Sequence, residues 1–392
     1  MPITEQRSGR RRGWNSSLPP LLHFAREHLL LLPLGAVIAL VWVNTAAESY
    51  YRFTRPMFSA VNDVAMVVFF ALMTKEVVEA TAPAGVLHTW RRAIVPVIAA
   101  GGAALVAALL HVFIVNALDE PVLAAEAWPV TLASDIAVSY FVARMIFRRH
   151  AVIPFLLLLA IASDALGFLV LALLNPIREH HFGVGGLVLG VALGAAFALR
   201  RMKVRSFWPY VLGPGTVSWL AFFWGGIHPA LALVPIVPFM PHAARDPGFF
   251  VDASPDAGDA LSRLEIWGRY PAQVSLFLFG LVNAGVPAGA FEPGVWGLPI
   301  AMLVGKPIGV LVATGGAVAL GLKLPHRIGW RELIVVGLIM SLGFSVGLFF
   351  STALLPPGQL RSEASLGVLI ALIGAPAAFA CARLLRVGRF AA

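Results

Sequence analysis

Long apolar runs, interrupted by glycine, proline and short charged patches, set the pattern of this chain. Many of the runs reach the roughly 20 residues with which a helix crosses a bilayer. They predict spans near 28–45, 60–80, 93–117, 128–147, 151–174, 183–199, 208–225, 226–241, 267–287, 298–321, 332–354 and 365–385. Twelve spans place both termini on one side. The polar remainder is thin: a basic head before residue 28, a stretch at 242–266 rich in Asp, Pro and Gly, and a short tail from 386 to 392. A 25-residue loop is too small to build a core of its own, so the chemistry is expected inside the 28–385 membrane region.

Composition sharpens this picture. Of the 392 residues, 59% are hydrophobic and 12% are charged, where ordinary globular domains carry about 25% charged residues. The basic "RSGRRRGW" is followed by a full-length span and then by many others, so no cleavable signal peptide is expected. The single Cys381 excludes a disulfide framework and any multi-cysteine metal site. A net charge of +9 raises nucleic acid as a partner, but its distribution argues against one. On the twelve-span layout only Arg52, Arg55, Arg178 and Arg361 fall on one side, Lys306 falls within a span, and every other Lys and Arg is on the opposite side. The positive-inside rule then predicts cytoplasmic termini.

Two spans carry helix-breaking character at corresponding places: "WPVTLASDIAVSY" (128–140) in the fourth and "LIMSLGFSVGLFF" (338–350) in the eleventh. Each is the middle member of a three-span block, spans 3–5 and 10–12. Span 3 starts at the cytoplasm and span 10 starts outside, so the blocks run in opposite senses. Inverted repeats with broken helices near the midplane characterise secondary transporters.

Charges at membrane depth are costly and by default mark a pathway or a paired site. Asp135 lies in the fourth span, Asp164 in the fifth and Lys306 in the tenth, and both aspartates end the tripeptide "ASD". One reading is a structural cluster that fixes helix packing. The other is an exchange site, in which Asp164 and the hydroxyls of Ser163 and Ser134 offer hard oxygens to a small cation. A carboxylate in low dielectric holds either a proton or a metal cation, which is antiporter chemistry. Asp135 admits two roles, transport or neutralising the positive ends of broken helices. Lys75, Glu76 and Glu79 form one helical turn read as a solvated interfacial cluster, with a cation funnel as the alternative. His228, beside Pro229, is either structural or pH-responsive.

Taken together, "VNDVAMVVFFALMTKEVVEA", "WRRAIVPVIAAGGA", "WPVTLASDIAVSYFVARMI", "FLLLLAIASDALGFLVLALL", "GGIHPAL", "NAGV", "VGKPIGV" and "SLGFSVGLF" resemble the NhaA family of bacterial sodium/proton antiporters from about residue 28 to 385. The resemblance implies an all-α, twelve-helix fold with inverted repeats and broken helices 4 and 11, a six-helix core, a separate region for homodimerisation, and no cofactor. It also implies exchange of Na⁺ or Li⁺ for H⁺ by alternating access in the bacterial inner membrane, serving sodium export and pH homeostasis. By position, Asp164 matches the family's cation- and proton-binding aspartate and Asp135 the aspartate of the unwound fourth helix. Ser134 stands in place of the usual threonine, Lys306 matches the lysine of the tenth helix, and Glu76 resembles the cytoplasmic funnel glutamate.

Three departures bear on mechanism. The family's fifth helix typically carries two adjacent aspartates, the first paired with the lysine and implicated in a second proton; here it is Ser163, leaving Asp164 as the expected partner of Lys306. "EIWGRY" (265–270) replaces the usual Glu-His…His cluster before the ninth span, and "GFSVG" replaces a more usual "GFTMS". With one titrating carboxylate missing, one-for-one electroneutral exchange is expected, whereas a titrating Lys306 would restore two protons per Na⁺. The alternatives are a divergent relative that carries K⁺, or one that no longer transports and serves as a sensor or scaffold. An intramembrane aspartyl protease also uses two aspartates, but as a family carries Gly-x-Gly-Asp, which is absent here.

Overall fold

The computed structural model describes residues 31–81, 90–120, 126–148, 150–174, 182–241, 259–324 and 328–391. The basic head and the 242–258 part of the expected loop lie outside these residues. The described chain is helical, with no strand among its residues. Helices α1 (Leu31–Thr45) and α2 (Ala47–Thr54) lead through a π-helical turn, Ala60–Ala65, into α3 (Met66–Thr81). Then come α4 (Trp90–Ala117), a 3-10 turn at Trp128–Leu132, α5 (Ile136–Phe147) and α6 (Val152–Leu174). The middle of the chain holds α7 (Phe182–Arg201), α8 (Thr216–Gly225) and α9 (Ala260–Asn283). The last part holds α10 (Lys306–Ala319), α11 (Trp330–Met340), α12 (Phe344–Leu354), α13 (Gln359–Ile370) and α14 (Gly374–Leu384).

Polarity is arranged for lipid rather than water. Phe113 on α4 is 71% exposed and Leu187 on α7 is 74% exposed, whereas Lys306 is fully buried. Outward apolar faces and inward charges are what a hydrocarbon surrounding requires. Among the described residues, five continuous helical stretches are long and apolar enough to cross a membrane, and up to seven if two pairs bent by 46° each form one span.

Two segments differ from the sequence expectation. The stretch 226–241, read as a span, contains 3-10 turns at Pro229–Leu231 and Val237–Phe239 and no α-helix. Its four prolines, Pro229, Pro235, Pro238 and Pro241, each remove a backbone donor and clash with the preceding turn. Short i to i+3 bonds such as Ala232 N to Pro229 O (3.0 Å) and Ile236 N to Leu233 O (3.1 Å) satisfy the backbone instead. Burial of Ala230, Leu233, Ile236 and Met240 shields the irregular chain, a condition for such backbone at membrane depth. The expected span 267–287 begins earlier, at Ala260, because Asp259 accepts from Ser262 N at 3.2 Å and caps the helix there.

The pair α4 and α10 positions the tenth-helix lysine. A Cβ on Gly309 would lie 2.7 Å from Ala103 Cα, and one on Gly305 2.8 Å from Ala107 Cα. Only hydrogen at these positions lets the backbones approach so closely, the small-residue packing typical of membrane helices. A π-helical turn, Ala301–Gly305, immediately precedes Lys306 and Pro307.

Candidate functional site

Among the described residues, two breaks in helical form meet around the buried charges, at Ala133–Asp135 between the 3-10 turn and α5 and at Ser341–Gly343 between α11 and α12. In the first break Ala133 turns extended (φ −56°, ψ 131°) and Asp135 follows in the β region. In the second, a Cβ on Gly343 would clash with the Ala133 carbonyl and lie 2.7 Å from Met302 Cε. Glycine thus lets the two breaks meet, and Asp135 N donates to Leu342 O at 2.7 Å where they do. They lie where two apolar cores abut, one including Leu132 and Ala133, the other Ile161 and Leu342.

Breaking two helices exposes N–H groups at the new starts and carbonyls at the new ends. Asp135 serves the starts. Its Oδ1 accepts from Val138 N (3.1 Å) at the head of α5, and its Oδ2 accepts from Ser345 N (3.0 Å) and Ser345 Oγ (2.6 Å) at the head of α12. One carboxylate therefore caps two helix N-termini, where negative charge is favoured. Lys306 serves the ends: its Nζ donates to Met340 O at 3.0 Å, the last residue of α11, and to Ala133 O, just past the 3-10 turn. No ion pair within 4.0 Å joins Lys306 to Asp164 among the described residues, so the expected partnership is not a direct contact in this conformation.

Asp164 lies on α6, 5% exposed. Its Oδ1 accepts from Ser134 Oγ at 2.6 Å and from Ser134 N at 3.3 Å. The Ser134 hydroxyl has a second acceptor in reach, Ala160 O at 3.3 Å. With one hydrogen it serves the shorter contact. Ser163, grouped with the cation ligands from its place in the sequence, instead turns its hydroxyl to Leu132 O at 2.9 Å. Asp135, Asp164, Ser134, Ser163 and Lys306 are thus brought together around one short extended segment.

Glu76 and His228 lie in separate clusters. Lys75, expected at a solvated surface, is buried, with Glu79 at 2.7 Å, Glu265 at 2.9 Å and Glu76 at 3.4 Å. The buried Lys75 ammonium and Glu76 carboxylate, with the partly buried Glu79 and Glu265, hold each other in charge-assisted contacts. Glu265 entered the sequence reading only as part of a departure; its approach from α9 depends on helix packing. His228 Nε2 stands 3.8 Å from Asp63 Oδ1, and the ring packs edge-on against Phe349, centroids 4.7 Å apart. Ser345 was also missed: it is the second residue of α12, after the N-cap Gly343, and its role appears only where Asp135 meets that helix start.

Comparison with known proteins bears on what this arrangement serves. The family model described as "Na⁺/H⁺ antiporter 1" matches residues 21–384. The chain belongs to this family of NhaA antiporters. It is 37% identical over 376 residues to the Na⁺/H⁺ antiporter NhaA of Desulfitobacterium hafniense, covering 93% of this chain and 96% of that protein. It is 34% identical over 377 residues to the NhaA of Geobacter metallireducens, covering 94% and 98%, and 34% identical to that of Jannaschia sp., covering 93% and 98%. NhaA proteins are transporters and not enzymes, which removes the protease reading. The family and the apolar helices together make this a multi-pass membrane protein.

Proposed function

We propose that the protein exchanges Na⁺ or Li⁺ for H⁺ across the bacterial inner membrane by alternating access, with Asp164 as the point where cation and proton compete. The observation that carries this reading is the buried Asp164 carboxylate, whose one oxygen takes both Ser134 donors while no hydrogen bond to the other is found among the described residues. Family membership supports the substrates. The fold proposed is the twelve-helix arrangement with broken helices 4 and 11 inside inverted repeats, both termini cytoplasmic, residues 28–385 forming one transport domain and a homodimer as the assembly.

Ser134 gives the exchange a low-cost proton response. While Asp164 is ionised and holds a cation, the Ser134 hydroxyl donates to it and its lone pairs face the ion. When Asp164 takes a proton, the same hydroxyl turns to Ala160 O and accepts from the new carboxyl O–H. Both states keep their hydrogen bonds without backbone movement, which matters where an unsatisfied buried group costs about 1–3 kcal/mol. Asp135 and Lys306 hold the ends of the broken helices, and with Lys306 committed to two carbonyls one proton moves per cation, so transport is electroneutral. Glu76, with Glu79 and Glu265, gathers cations at the cytoplasmic side, and His228 with Asp63 responds to pH.

Dye dequenching in everted vesicles on addition of Li⁺, Na⁺ or K⁺ tests the proposal. A response to Li⁺ and Na⁺ but not K⁺ is expected. A K⁺ response alone would replace the substrate, and silence with all three would leave a sensor or scaffold.

A further inference from the structure

Ser163 is buried in the middle of α6. A serine there ordinarily returns its hydroxyl to the carbonyl one turn back on its own helix. This one reaches across to Leu132 O at 2.9 Å. Leu132 ends the 3-10 turn, and its carbonyl is left without a following turn because Ala133 is already extended.

The neighbouring contacts give this bond its meaning. Ser163 and Asp164 are consecutive on one helix. The first holds the carbonyl of Leu132, the second the N–H and O–H of Ser134, two residues further along the extended segment. Between them, Ala133 O is taken by Lys306 Nζ from α10. A non-helical segment has no internal ladder to set its register; these side chains set it, together with the bond from Asp135 N to Leu342 O. Release of Leu132 O removes the restraint at the start of the segment while Ala133 O and Asp135 stay held, and the contact that suffers is the Ser134 pair on Asp164.

We infer that Ser163 is a positioning residue for cation binding: it locks Leu132 so that Ser134 meets Asp164, and does not itself touch the ion. The inference rests on the reading of Asp164 as the exchange site. It assigns the hydroxyl at 163 a function independent of charge, which is why this position works here without a carboxylate.

The test compares wild type, Ser163→Thr and Ser163→Val, nearly equal in shape and differing in the hydroxyl, with Ser134→Ala and the Ser163→Val/Ser134→Ala double variant. Each is reconstituted in proteoliposomes, and apparent KM and maximal rate are measured for Na⁺ and for Li⁺, with Tm in choline as the folding control. Ser163→Val is expected to raise both KM values by the same factor, about tenfold, the size of effect typical of groups that orient a metal ligand. Maximal rate falls far less, and Ser163→Thr restores the KM. The double variant should fall well short of the product of the two single effects, because Ser163 acts through Ser134, whose backbone N–H remains in Ser134→Ala. A changed Li⁺-to-Na⁺ ratio would make Ser163 a direct ligand and overturn the inference. So would multiplying effects in the double variant, or a Val variant indistinguishable from Thr. Wild type with no Na⁺- or Li⁺-dependent proton movement would instead overturn the exchange reading, and this inference with it.

Discussion

Three ionisable side chains buried at the crossing divide the work by what each one's oxygens or protons are already doing. Both carboxylate oxygens of Asp135 accept from helix starts, and Lys306 donates to two helix-end carbonyls. Asp164 has the spare acceptor capacity, so it carries the proposed exchange. Asp164→Asn should abolish Na⁺-driven proton movement in proteoliposomes while far-UV circular dichroism and Tm stay near wild type. Exchange retained in that variant would remove Asp164 from its role. Lys306→Met keeps the stem and removes the donor, leaving Ala133 O and Met340 O without it. Each stranded carbonyl costs about 1–3 kcal/mol, so a clear fall in Tm is expected in detergent; an unchanged Tm would mean water or another donor takes over.

Among the elements, the closeness of α4 and α10 decides where the Lys306 stem starts. Replacing Gly309 by Val puts side-chain carbon where Ala103 Cα lies 2.7 Å from the Cβ position. Overpacking of this kind costs about 1–3 kcal/mol. The variant should therefore lose thermal stability and, with α10 displaced, transport rate; wild-type values for both would show that the helix pair separates without consequence. The 226–241 segment makes a complementary point. Apolar composition marked it as a span, yet four prolines keep it out of the α-helix. Proline spacing was visible beforehand, but hydropathy alone does not register a missing N–H.

For the molecule as a whole, the proposed stoichiometry has a simple signature. If one proton and one cation compete at one carboxylate, the apparent KM for Na⁺ rises about tenfold for each unit the pH falls below the group's pKa, by linkage. Two protons bound together would give about a hundredfold per unit. The lower slope is expected in proteoliposomes, together with a turnover that an imposed membrane potential leaves unchanged. A steep slope with strong potential dependence would return Lys306 to the titrating groups.

What could be read from the order of residues was the solvent and the cast of the site. Runs of apolar side chains long enough for a bilayer define a membrane protein, and Asp135, Asp164 and Lys306 stand out because charge at that depth demands a reason. The motifs that surround them carried the family. What the order of residues did not reveal was who bonds to whom. Lys306 ends on the carbonyls of Ala133 and Met340, and a carbonyl is the same in every residue, so no letter announces it. Glu265 reaches Lys75 only because α9 packs beside α3, turning a cluster that reads as solvated into a buried one. Ser163 is an ordinary helix serine until the end of a 3-10 turn is laid against it. Side-chain identity follows from the sequence; the partner of a hydrogen bond follows from where the backbone stops being helical, and that is settled by packing between segments far apart in the chain.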